Sequence, residues 1–168
     1  MKIALSKTDT SLGKALDCEH EDDIIDGFIN RYNVTREEAI DIFEETKKWL
    51  WAAAKSSEED SVTMSIDASL LIIDEMWHTF ILHTKYYHNF CMNVLKKFIH
   101  HLPTPKQEKE AYKLQLERNP TAVVEERKTQ VYNQLSFLYD NLGAETVIKW
   151  YEEYPSKYTP EYVRNIKK

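Results

Sequence analysis

Glycine and cysteine are the scarcest informative residues in this chain of 168 amino acids, with three Gly and two Cys. So few glycines, with only five prolines, argue against an all-β sandwich rich in turns and against a Gly-rich phosphate-binding fold. Cys18 and Cys91 lie far apart and form no CxxC, which excludes a disulfide framework and a zinc knuckle. A basic excess is also missing. The formal net charge is −6, and nucleic-acid binding is excluded because neutralising phosphates needs clustered Lys and Arg. Long apolar runs are missing too: the most apolar stretch, 64–82, is interrupted by Asp67, Asp74, Glu75 and His78. Charges at bilayer depth cost several kcal/mol each, so no membrane span is expected. Residues Met1 to Leu16 lack the apolar core and cleavage site of a secretory signal. A cytoplasmic location is the expectation.

What is present is helical patterning. Hydrophobic residues make up 42% and charged residues 30%, a globular mixture. Residues 1–20 show no periodicity and read as a loose lead-in to a single domain over 21–168. Ile24, Ile25, Phe28, Ile29 and Tyr32 recur at helical spacing. Thr35-Arg-Glu-Glu38 is a capping box, in which the hydroxyl accepts an orphan N–H and the carboxylate reaches back. The helix it opens fades over 56–60. A long central helix is predicted over about 67–98, with five or six helices in all forming an all-α bundle around it. Thr104-Pro105 and Asn119-Pro120 read as further helix starts and Gly143 as a helix stop. A last helix over 144–154 is ended by Pro155. The first 60 residues hold 8 basic and 15 acidic side chains, a charge distribution typical of a solvated surface.

Chemistry-bearing residues concentrate between Asp74 and His101, a stretch with five of the six histidines. At about 100° per residue, Asp74 lies one turn from His78 and about 40° around the helix, so both can touch one ion or each other. His83 points about 140° away and cannot share their site on a straight helix. His88 is about 15 Å further along the axis, too far to join His78. A carboxylate and an imidazole at this spacing suit two ligands of a divalent transition metal such as Zn, Fe or Mn. The same spacing suits an aspartate that fixes the histidine tautomer in a purely structural pair. Further ligands must come from remote chain: His100 and His101 if the backbone returns after Phe98, or His20. His88 and Cys91, three residues apart, have the order of a base and a nucleophile, but Leu95 and Trp77 share their face, as around an inert core cysteine.

Asp74-Glu-Met-Trp-His-Thr-Phe-Ile-Leu82, followed by Tyr87 and Phe90-Cys91, resembles the D-x-x-WH-x-x-x-L signature of the glycine-rich domain-containing protein-like family. The resemblance spans about 30 residues and implies a helical fold with a polar ligand-binding site at Asp74, Trp77, His78 and Tyr87. With three glycines the chain lacks that family's glycine-rich region. Two functions follow from the residues. One is a helical domain whose Asp74 and His78, with His100 or His101, bind a divalent metal or small polar ligand, with metal-activated water or oxygen chemistry if it is an enzyme. The other is a protein-interaction module using the acidic N-terminal helices or aromatic anchors such as Trp150 and Tyr154, with the Asp/His pair purely structural.

Overall fold

The computed structural model describes residues 12–56 and 62–168. Two helices set the frame. α3 (Arg36–Ser56) is 21 residues long and packs against α1 (Leu12–Leu16), α2 (Glu21–Arg31) and α4 (Leu71–Leu82). Its start follows the sequence: Thr35 Oγ1 accepts the Glu38 N–H at 3.1 Å. The Glu38 carboxylate does not reach back to complete the box; it meets Lys157 and Tyr158 instead. Phe28, Ile42, Phe43, Leu50, Ile72, Ile73 and Phe80 are fully buried between these helices. Burying one such side chain contributes roughly 1.5–3 kcal/mol, so this interface is the main source of cohesion.

Among the described residues there is no strand; a single antiparallel bridge joins Tyr32 to Lys167. The all-α, single-domain expectation is met. Of the predicted loose lead-in, residues 1–11 lie outside the described residues, and 12–16 form α1 with Ala15 fully buried. The predicted fading of α3 also falls mostly outside them, at 57–61.

The segment 67–98 is not one rod. A 3-10 turn (Ala68–Leu70) leads into α4, the chain bends at His83 (φ −85°, ψ 60°), and α5 (Thr84–Asn89) runs into a π-helical turn (Phe90–Leu95). The bend follows the His83 ring into the α2 contact. Its Nδ1 lies 3.0 Å from the Thr79 carbonyl, and a Cβ on Gly27 would sit 2.7 Å from its Cε1. Only glycine leaves room for that ring. Lys96 then adopts φ 58° and ends the π turn, its N–H donating to the Cys91 carbonyl. Residues 98–101 turn back from there.

α6 (Lys106–Arg118) and α7 (Pro120–Leu142) form a hairpin; Asn119 caps α7 by accepting the Ala122 N–H at 3.3 Å. Gly143 has φ 85° and stops α7. Pro155 does not end the last predicted helix. α8 (Ala144–Ile148) passes through a π turn (Lys149–Glu153) into α9 (Tyr154–Lys157), which contains the proline. A proline ring clashes with the carbonyl four residues back and brings no N–H; a π turn just before it lets the helical path continue. α10 (Pro160–Ile166) closes the chain, with Thr159 capping it at 3.2 Å. Among the described residues, no helix is long and apolar enough to cross a membrane.

Candidate metal centre

α4 presents its polar residues, Asp74, Glu75 and His78, along one edge of an otherwise apolar helix. The returning chain brings His101 to that edge. Its Nε2 lies 2.8 Å from Asp74 Oδ1, and its ring centroid is 4.5 Å from that of His78. His78 Nδ1 stands 3.8 Å from Asp74 Oδ2 and 3.9 Å from Glu75 Oε2, too far for a hydrogen bond to either. One ligand atom each from Asp74, His78 and His101 falls within 4.8 Å of the others. All three side chains are partly exposed, His78 the most at 42%.

Two buried side chains explain why the chain returns here. Tyr87 is 3% exposed and Trp77 likewise 3%. Trp77 Nε1–H donates to the Tyr87 hydroxyl at 3.0 Å, and that hydroxyl donates to the Ile99 carbonyl. Burial raises the Tyr87 phenol above its ordinary range, so it remains a donor. Ile99 is thereby pinned two residues before His101, whose ring rests against Trp77 at 4.2 Å. Trp77 and Tyr87 thus hold the returning chain, with the Trp77 ring against that of His101. The i,i+4 spacing of Asp74 and His78 was visible in the sequence; the carbonyl of Ile99 carried no signal there.

His100 turns the other way. Its ring packs on Phe98 at 4.9 Å and it is not in the cluster. His20 is also elsewhere, stacked on Tyr86 at 4.3 Å. His88 lies beside Phe98, and Cys91 is fully buried against Tyr87, so no Cys–His pair forms. Burial raises the Cys91 thiol and pushes that of Cys18 up to about 12. Neither is a nucleophile near neutral pH. The aromatic anchors expected at the C-terminal end are core residues: Trp150 is 0% and Tyr154 4% exposed.

A partner of Glu75 that spacing did not suggest is Tyr32, fully buried at the end of α2, whose hydroxyl donates to Glu75 Oε2. Burial, and then the Glu75 carboxylate, raise the Tyr32 phenol. The hydroxyl keeps its proton and holds the carboxylate beside His78.

Two imidazoles and one carboxylate form a donor set suited to Fe(II), Zn or Mn, with coordination positions left for water or substrate. Two ligands, each about 2 Å from an ion and at right angles, stand about 2.8–2.9 Å apart. Asp74 Oδ1 and His101 Nε2 already have that separation. A donor atom of His78 lies within 4.8 Å of both.

The sequence model of one family, UCP032817-like, matches residues 17–130, a span that includes α2 through the start of α7 and every residue of the cluster. The chain belongs to that family. The match overturns the resemblance to the glycine-rich domain-containing protein-like family: nothing here points to it, and the Trp-His motif that suggested it serves to buttress the returning chain. No curated protein and no solved structure matches the chain.

Proposed function

We propose that this member of the UCP032817-like family binds a divalent transition metal through Asp74, His78 and His101. The observation that carries the reading is the second imidazole. An Asp74–His101 hydrogen bond alone would satisfy both partners, yet His78 stands beside them and, among the described residues, makes no hydrogen bond within the protein. Two histidines at van der Waals range repel when both are protonated, whereas a shared cation turns the same proximity into attraction. Zn, Fe(II) and Mn are the candidates. Three protein ligands at a partly exposed surface leave positions for a small polar ligand, and any chemistry there would be activation of water or oxygen by the ion.

The test is metal analysis of untagged protein together with thermal unfolding in added Zn, Fe(II) or Mn. Binding raises the melting temperature by mass action. His101→Ala and Asp74→Asn should abolish the rise, while His100→Ala leaves it intact. If no metal co-purifies and no added metal moves the transition, the cluster is a structural pair with an accessory histidine and the proposal fails.

A further inference from the structure

A cleft of about 170 Å³ opens between the turn joining α1 to α2 and the segment formed by α5 and its π turn. None of its lining residues belongs to the Asp74, His78 and His101 cluster. Its buried lining is apolar, with the Phe90 ring and the Cys18 side chain. Polar groups surround the opening: the acids Asp17 and Glu19 on the turn, and the exposed amides Asn89 and Asn93 across from them. No Lys or Arg lines the cleft.

The acidic side is fixed in place by the fold. Lys47, fully buried, donates to the Leu16 carbonyl at 2.5 Å just before the turn and to Glu21 just after it. The Cys18 N–H also donates to Glu21 Oε1, at 3.3 Å. Glu21 and Glu44 pair with the Lys47 ammonium, so it leaves the charge of the cleft acids uncancelled. His20 takes left-handed backbone (φ 61°), and its ring stacks on Tyr86 at 4.3 Å, tying the turn to α5. A site whose walls are set in advance loses less freedom when it binds.

Chemistry selects the occupant. Among the described residues, the Asp17 and Glu19 carboxylates have no hydrogen-bond or ion-pair partner. Two unpaired acids beside an apolar lining suit a cation with a hydrocarbon body and repel an anion. An inorganic ion is disfavoured, because among the described residues the donors close enough to share a metal are those of Asp74, His78 and His101. A cavity of roughly 150 Å³ takes benzene, so this cleft has room for one ring with a short arm.

We propose that the cleft binds a small primary amine, its ammonium at Asp17 and Glu19 and its hydrocarbon body against Phe90. The inference is independent of the metal reading.

The experiment is an NMR titration of the full chain with benzylamine, benzyl alcohol and benzoate, three probes of matched shape that are cationic, neutral and anionic. Benzylamine should saturate at about millimolar concentration, as a ligand of so few atoms allows. It should move the amides of 17–20 and 89–94 and bind at least about tenfold more tightly than the other two. Asp17→Asn combined with Glu19→Gln should bring the amine down to the affinity of the alcohol. The melting temperature should stay unchanged, since neither carboxylate has a partner to lose. Asn93→Asp, which adds a carboxylate at the opening, should strengthen the amine alone, and it decides the question if the double variant does not fold. Shifts confined to other regions, equal binding of the three probes, or amine binding indifferent to these variants would overturn the proposal.

Discussion

Two polar zones of the protein are built from similar residues to opposite effect. Along α3, Glu38, Asp41 and Glu45 face the C-terminal helices and meet a ladder of donors. Tyr158 donates to Glu38 at 2.7 Å, Tyr154 to Asp41 at 2.9 Å, and Trp150 Nε1–H to Glu45 at 2.7 Å. Lys157, Lys149 and Lys48 supply the counter-charges. Every acid there has both a neutral donor and a cation. On α4 the acids are followed instead by imidazoles; among the described residues no Lys or Arg pairs with Asp74 or Glu75, and His78 makes no hydrogen bond within the protein. The α3 zone is architecture, because each acid there is bonded to a partner more than a hundred residues away. The α4 zone is the one to which the proposed metal site belongs.

Removing Glu45 should break the comparison hardest. Glu45→Ala leaves the Trp150 indole N–H buried and unpaired and strips Lys149 and Lys48 of a shared carboxylate. Losing one partner of a buried ion pair costs roughly 3–5 kcal/mol, readable by denaturant unfolding. Metal response of whatever remains folded should be unchanged. Asp74→Asn should do the reverse.

Tyr87→Phe sharpens the contrast at the support of the α4 cluster. It frees the Ile99 carbonyl and leaves the Trp77 N–H buried without its acceptor. The expected loss is about 1–3 kcal/mol of stability, with metal affinity falling roughly 10–100-fold, as when an outer-shell partner is removed. Titration calorimetry on wild type and variant separates the two effects. An affinity unchanged in the variant would show that His101 finds its place without the hydroxyl.

The smallest effect belongs to Glu38. Burial alone would raise its carboxyl, but Lys157 and Tyr158 outweigh that and hold it below the ordinary value of 4.5. A depressed folded value means the group stabilises fully above the ordinary value and loses that contribution as pH falls through its folded value. Glu38→Gln should therefore lower stability slightly at neutral pH and flatten its fall below about 4.5, where the wild type loses the same contribution. A profile unchanged in shape would mean the ladder is not electrostatically coupled at that end.

The helical frame was legible because its signals are local. Thr35, Asn119 and Gly143 act where the sequence puts them. The breaks in 67–98 were not legible, since apolar periodicity continues past His83 and the ring's docking at Gly27 joins residues far apart in the chain. Asp74 and His78 were readable as a pair from helix geometry. The choice of His101 over His100 was not, because it depends on a hydroxyl twelve residues back gripping one backbone carbonyl. Trp150 and Tyr154 were misjudged as surface anchors for a related reason: their polar atoms meet Glu45 and Asp41, more than a hundred residues away in the chain.

Asp74 and His78 ride on a rigid helix, but His101 arrives on irregular backbone that Tyr87 tethers just upstream. One donor of the proposed site is thus set by a single hydroxyl–carbonyl contact outside α4, while the other two are set by the spacing of one helix turn.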